Sequence, residues 1–490
     1  VETNHIMKKF LFFMLLPIIG SAQVQIGTNI NGEAAGDNSS NAISLSADGS
    51  VVAIGAYLND GNGTDSGQVR VYKNIAGTWT QIGADINGSA AGDYSGTSIS
   101  LSADGNTLAI GSPRNYSFSG QVRIYKNISG VWTQHGTTIQ GATFGDNSGW
   151  SVSLSSDGNT VAIGAIGKYT EGIMTGGVKV YKNISGLWTQ EGNEINGFIN
   201  SNSFGRCVDL SADGNILAIA EPYTTVNGGY SGRVRVYQNL SGVWTQQGGS
   251  IDGTYSNGIF GASISLSSDG STIAIGAPGS ATTATDAGLV KVYKNISGTW
   301  TQLGTTLNGT MAIAVFGSSV ALSGDGQVLC VGANHNLSVN VNPGQAQVFK
   351  YESGNWVQKG SDIIGSDNEN LGHTVALSGD GHTLAIGAIF NNANGTNAGQ
   401  ARLFDISSLL ATDHFAMEGL SVSPNPATDI LSIHVPEGSE LESLTLYNAL
   451  GQVVRKGKET TIAVGDLAKG AYFVEVKTNM GKTAKSIIIQ

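Results

Sequence analysis

An Asp-Gly pair recurs seven times along this 490-residue chain, at Asp48, Asp104, Asp157, Asp213, Asp269, Asp325 and Asp380, in steps of 53 to 56 residues. A period of that length implies one supersecondary unit per copy, stacked as a solenoid or arranged around an axis as a propeller. One copy reveals the plan of the unit. Ser98-Ile99-Ser100-Leu101-Ser102 alternates as a strand, Asp104-Gly105 supplies the φ > 0 tolerance of a two-residue hairpin, and Thr107-Leu108-Ala109-Ile110-Gly111 returns. A variable loop leads to Gln121-Val122-Arg123-Ile124-Tyr125-Lys126. Asn127-Ile128-Ser129-Gly130 turns the chain again, and Val131-Trp132-Thr133-Gln134 begins a fourth strand. Four antiparallel strands per copy make a propeller blade, whereas a solenoid unit carries a single strand or a helix.

The ends of the repeat sharpen the choice. Trp79, Trp132, Trp188, Trp244, Trp300 and Trp356 mark the fourth strand in six copies, where packing between blades explains them better than a glycan-stacking set. The seventh copy stops after its third strand, Gln400-Ala401-Arg402-Leu403-Phe404. Its missing strand stands near the N-terminus, where Val24-Gln25-Ile26-Gly27 parallels Thr80-Gln81-Ile82-Gly83. An N-terminal strand that closes the last blade removes free sheet edges, a need that an open solenoid does not share. The predicted fold is all-β: a seven-bladed β-propeller of four-stranded blades over residues 23–406, a linker at 407–416, and a small β-sandwich over 417–490.

Composition agrees. Gly numbers 70 and charged residues make only 12%, against usual values of roughly 7% and 25%. The 40% hydrophobic fraction excludes a disordered chain, and 8 prolines without a Gly period exclude collagen. The net charge of −11, with no basic stripe, argues against nucleic acid as a partner. Met7-Lys8-Lys9, the apolar run Phe10 to Ile19 and Gly20-Ser21-Ala22 read as a signal peptide cut between Ala22 and Gln23, with residues 1–6 lying upstream. The apolar run is too short for a membrane span, so the mature chain is expected to be exported and not integral to a membrane. Cys207 and Cys330 fall at different places in different copies, which predicts two buried free thiols.

From Met417 onward Gly thins and short strands alternate with turns, at Leu431 to Val435, Ser443 to Tyr447, Ala471 to Val476 and Ser486 to Ile489 among others. Ser423-Pro424-Asn425-Pro426, Leu446-Tyr447-Asn448-Ala449-Leu450-Gly451-Gln452, Gly470-Ala471-Tyr472 and the terminal Lys485-Ser486-Ile487-Ile488-Ile489-Gln490 resemble the C-terminal sorting domain of the type IX secretion system. That resemblance implies the type IX machinery as a partner. It also implies secretion from, or display on the outer surface of, a Gram-negative cell.

The repeat in turn resembles the FG-GAP repeat of the integrin α-chain propeller. Phe204-Gly205, Phe260-Gly261 and Phe316-Gly317 carry the first element, and Gly276-Ala277-Pro278 the second. The resemblance implies a role in adhesion or extracellular binding. Calcium-binding blades of that family carry an Asp-rich loop between their first two strands. Here that turn offers one carboxylate where calcium needs six to eight oxygens, so no metal site carries over.

Other candidates for chemistry read better as structure. The seven Asp residues are turn formers. Asn127, Asn183 and Asn295 stand in glycosylation-like triplets that serve as turns. The loop holding Asp60, Asn62 and Asp65 has oxygen ligands at alternate positions, a weak calcium candidate, but lacks a distal Glu. His373 and His382 lie at opposite ends of a strand pair. No nucleophile-base spacing is legible, so neither an enzyme nor a cofactor is predicted.

One position does vary in kind. Just before the first-strand core, successive copies carry Asn41, Thr97, Trp150, Arg206, Ala262, Ser318 and His373. In a propeller this position rims one mouth of the central channel. The longer loops open on the same face and carry Tyr57, Tyr94, Tyr116, Phe118, Phe144, Tyr169, Phe198, Tyr223, Tyr230 and Tyr255. The sequence therefore predicts a ligand site at the mouth, anchored by Trp150 and Arg206, for an extracellular protein or glycan. The alternative is a polysaccharide-acting extracellular enzyme with its site in the same place.

Overall fold

Each copy of the repeat folds as an antiparallel meander because its strands alternate and its turns carry residues that accept φ > 0. The protein is described here from a computed structural model over residues 23–198, 203–335, 342–410, 420–436, 438–448, 452–479 and 481–490. The signal segment, with Ala22, and residues 411–416 of the expected linker lie outside these. The chain divides into two units, residues 1–410 and 411–490.

Among the described residues, the first unit holds seven such sheets. In the second copy the strands are Ser98–Leu101, Thr107–Ser112, Gln121–Ile128 and Val131–Gln134. The second strand is buried throughout and apolar on both faces, as a central strand requires. The outer strand departs from the expected single run. It breaks after Gln134 and resumes at Ile139–Gln140, with both pieces paired to Gln121–Ile128. The break falls at Gly136, whose φ of +82° an L side chain would not adopt comfortably. Only in the sixth sheet is the outer strand continuous, Asn355–Ile364.

The Asp-Gly turn is also longer than the expected two residues. Ser46 N–H donates to Val51 O and Gly49 N–H to Ser46 O, giving a four-residue loop. The Asp48 carboxylate organises it, accepting from the Ser46 hydroxyl and the Ser50 amide. In Asp48, Asp104, Asp157, Asp213 and Asp269 partial burial pulls the carboxyl pKa up. Hydrogen bonds from the neighbouring Ser hydroxyl and backbone amide outweigh it and hold each below the usual carboxylate range. True two-residue turns lie instead between the third and fourth strands. Ser129 and Gly130 both have positive φ there, and Asn127 Oδ1 accepts from Gly130 N–H.

Successive sheets are tied by three sets of hydrogen bonds. The first is backbone only: Ala47 N–H donates to Ala103 O, Ala103 to Ser156, Ser156 to Ala212, Ala212 to Ser268, Ser268 to Gly324, Gly324 to Gly379, and Asp380 N–H to Ala47 O. The second runs along the first strands, where Ser44, Ser100, Ser153, Asp209 and Ser265 accept from the amides of Leu101, Leu154, Leu210, Leu266 and Leu322. In the third, Ser98, Ser151, Cys207, Ser263, Ser319 and Thr374 donate to carbonyls on the following first strand or the residues leading into it. Thr374 donates to Asn41 O, so the last sheet reaches the first.

The tryptophans act between sheets. Trp79, Trp132, Trp188, Trp244, Trp300 and Trp356 donate through Nε1 to the carbonyls of Ile26, Ile82, His135, Glu191, Gln247 and Leu303, each on the preceding sheet, at 2.9–3.2 Å. Val24 and Gln25 pair antiparallel with Asp405 and Phe404 on the edge of the last sheet. Here the copy has Gln23 where the others have Trp. The slot over Gly360 is occupied by Leu409 and Gln23, whose Nε2 donates to Ser361 O. Leu409 comes from a helical turn, Ser407–Leu410, with Leu409 and Leu410 buried. The stretch read as linker therefore begins as packed structure, because two leucines following Ile406 have an apolar slot to fill.

The second unit forms a three-stranded sheet (Ser421–Ser423, Ile430–His434, Thr461–Ala463) and a four-stranded one (Leu441–Asn448, Val453–Gly457, Gly470–Thr478, Gly481–Ile489). Leu431, Ile433, Leu444, Leu446, Val474, Val476 and Ile487 from both share one core. Thr461–Ala463, only three residues long, was not among the expected strands.

Candidate functional site

The first strands converge at their N-terminal ends on a cavity of about 420 Å³. Asn41, Thr97, Trp150, Arg206, Ala262, Ser318 and His373, the variable position of all seven copies, line it together with Asn334. Their side chains share one rim because each stands at the same register point. One residue further along, the carbonyl-seeking hydroxyls and thiol of six first strands hold neighbouring strands in step, while the first copy has Ala42 there.

Arg206 is the one formally charged group of that lining. Its guanidinium carbon lies 4.9 Å from the Trp150 ring centroid and 5.6 Å from that of Tyr223, within the range of cation–π attraction. Tyr223 in turn meets Tyr230 edge-on, with centroids 5.9 Å apart. Among the described residues no carboxylate forms an ion pair with Arg206, and the residue as a whole is half-buried. His373 Nδ1 lies 3.3 Å from Asn334 Nδ2. Burial, with a smaller push from His335, lowers the His373 pKa to about 4, so the ring is neutral at physiological pH.

One layer below sits Asp209, the only acid in the belt of serines. Its Oδ2 accepts from Leu266 N–H at 2.7 Å and its Oδ1 from the Ser153 hydroxyl at 3.1 Å. Burial between first strands raises its pKa to about 6 despite these bonds. The Cys207 thiol beside it is pushed up to about 11 by the same desolvation and donates to Ala262 O. Cys207 is half-buried, Cys330 is fully buried, and both are free.

The Asp60, Asn62 and Asp65 side chains are not brought together as a ligand set. Asp60 Oδ1 accepts from Asp65 N–H, while the Asn62 amide turns to the Gly88 and Ser89 carbonyls. Among the described residues no group of three or more His, Cys, Asp or Glu side chains is placed to hold a metal ion. Two features of the site escaped the sequence reading. Asn334 lies outside the repeated register. Asp209 stands out once the copies are aligned two residues after Cys207, where the others carry Ser or Ala.

The surrounding loops carry exposed aromatics. Phe144 is 78% and Tyr116 75% exposed, while Arg114 lies over the Tyr94 and Phe118 rings. Tyr57 meets Tyr94 edge-on at 5.6 Å.

Comparison with known proteins places the second unit. Residues 421–490 match the secretion system C-terminal sorting domain. No curated protein matches the chain. Among solved structures, Kuenenia stuttgartiensis hydrazine synthase is 15% identical with a TM-score of 0.47, over 74% of this chain and 94% of that one. U3-55K is 12% identical with a TM-score of 0.47, over 78% and 98%. Among the described residues no helix is long and apolar enough to cross a membrane. The C-terminal sorting domain indicates export through the type IX secretion system, so this is a secreted or surface-exposed protein.

Proposed function

We propose that the first unit is a closed seven-bladed propeller of the FG-GAP type that binds an extracellular ligand at the mouth of its channel, without catalysing a reaction. Closure is supported by the cycle of backbone hydrogen bonds that returns from Asp380 to Ala47, and by the N-terminal strand on the edge of the last sheet. The observation that carries the binding reading is the Arg206 guanidinium stacked on Trp150 at a cavity where all seven copies contribute a different side chain. Half-exposed aromatic and Arg groups converging on one concavity are the usual anchors of a binding site. The lining contains no Asp or Glu, whereas glycoside hydrolysis generally uses a pair of carboxylates, which favours binding over polysaccharide cleavage. Signal-peptide removal after Ala22 and passage through the type IX machinery would bring this face to the cell exterior.

The test is retention of the full-length mature chain on a panel of glycans and surface proteins. The Trp150→Ala/Arg206→Ala double variant should lose at least ten-fold in affinity for whatever the wild type retains, with its melting temperature within about 2 °C. Unchanged retention by the double variant contradicts the reading.

A further inference from the structure

We infer that the mouth cavity recognises an acidic sugar, a uronate residue of a polysaccharide, with its ring against Trp150 and its carboxylate on Arg206. The inference rests on the binding reading above and adds the ligand's chemistry. The chain as a whole is acidic, with a net charge of −11, yet the cavity lining holds one cation and no carboxylate. Residues 199–202 and 336–341, which adjoin it in sequence and lie outside the described residues, contain no Asp or Glu. A cationic ligand would meet Arg206 without a counter-charge, and a purely apolar one would leave its fork desolvated. An anion resolves both.

The geometry selects among anions. Arg206 lies within cation–π range of both Trp150 and Tyr223, contacts that restrict the freedom of a planar guanidinium able to pair with a two-oxygen acceptor. Trp150, half-buried at the rim with Arg206 over its ring, adds apolar surface next to the cation against which the C–H groups of a pyranose can pack. Asn41, Thr97, Ser318 and Asn334 complete the lining with neutral donors and acceptors of the kind that hydroxyl groups pair with. His373, neutral and held at Asn334, adds another such group without adding charge. A cavity of about 420 Å³ falls within the range of small-ligand sites and has room for a short sugar segment.

The test is calorimetric titration of the full-length mature chain with tetramers of galacturonate, glucuronate and mannuronate, with maltotetraose as the neutral counterpart and sodium acetate as the free carboxylate. At least one uronate tetramer should bind ten-fold or more tightly than maltotetraose. Arg206→Gln should abolish that preference, Arg206→Lys should retain part of it, and Trp150→Ala should weaken binding while keeping the preference. Acetate at equal concentration should not compete. Equal binding of neutral and acidic tetramers, no binding of any uronate, full competition by acetate, or an unaltered preference in Arg206→Gln each overturns the inference. Neutral glycan binding that is lost in Trp150→Ala would leave the mouth as a binding site while removing its acidic specificity.

Discussion

Replacing Glu221 with alanine should lower the stability of the first unit by about 3–5 kcal/mol, the usual consequence of stranding a buried charge. Glu221 ends a second strand at the point where other copies place Ala56, Ser112, Ala165, Ala277, Ala333 or Ala388, so the backbone itself tolerates the change. Its side chain is fully buried and pairs with Arg235 Nη1 at 2.7 Å, and Arg235 is only 6% exposed. Removing the carboxylate leaves a guanidinium with water on almost no side and the Phe198 ring against it. The pair itself is not required for stability, since two desolvated charges and their mutual attraction nearly cancel. The Glu221→Ala/Arg235→Gln double variant should therefore recover most of the loss. It introduces the combination already present in the sixth copy, where Ala333 and Gln347 stand at the corresponding positions of the second and third strands. Denaturant titration of the three proteins checks this, and a single variant as stable as the wild type would refute it.

The second large effect has the opposite sign. Asp209→Ser should stabilise the protein by roughly 2 kcal/mol at pH 7, because a displacement of about two pH units corresponds to nearly 3 kcal/mol before allowance for partial exposure. The sign follows from proton binding. Burial raises the folded-state pKa to about 6, above the unfolded value of 3.8, so between these limits the folded state holds the proton more tightly. The wild type therefore loses stability as pH rises from about 4 through 6, and serine removes that slope. Serine also serves the neighbouring strand, as Ser153 and Ser265 accept from Leu210 and Leu322 in the adjoining copies. Melting temperatures of both proteins at pH 4 and pH 7 should converge at the lower value and separate at the higher. Parallel curves would show that Asp209 is not desolvated.

These two residues also mark where the sequence stops being readable. The strand plan, the repeat count and the pairing of Val24 and Gln25 with the last sheet are legible because they depend on local alternation and on the fixed place of Trp and Asp-Gly. The variable mouth position is legible for the same reason: a shared register brings Trp150 and Arg206 to one rim although 56 residues separate them. What is not legible depends on contacts across copies. Within its own copy nothing distinguishes Asp209 from a solvated acid; alignment with the Ser and Ala of the other copies singles it out, and the contacts with Leu266 N–H and Ser153 show what encloses it. Glu221 followed by Pro222 reads as a loop edge, and its partner Arg235 lies on another strand. Tyr223 joins Arg206 only through the path of a variable loop. The filling of the seventh Trp slot by Leu409 and Gln23 draws on both ends of the unit, which no single copy reveals. The four-residue Asp turn was missed because Asp-Gly suits several loop lengths, and the Ser hydroxyl that selects among them lies outside the pair.

The central claim, a ring closed by the N-terminal strand, is tested most directly by a cross-link. Val24 and Asp405 are antiparallel partners, both exposed, at a spacing of about 5.5 Å between Cα atoms that a disulfide can span. In the Val24→Cys/Asp405→Cys variant, mild oxidation should form one intramolecular bond. After denaturation only the native thiols of Cys207 and Cys330 should then remain to be titrated, and the product should migrate faster on a non-reducing gel. Four free thiols and unchanged migration after oxidation would contradict closure of the last blade by the N-terminal strand.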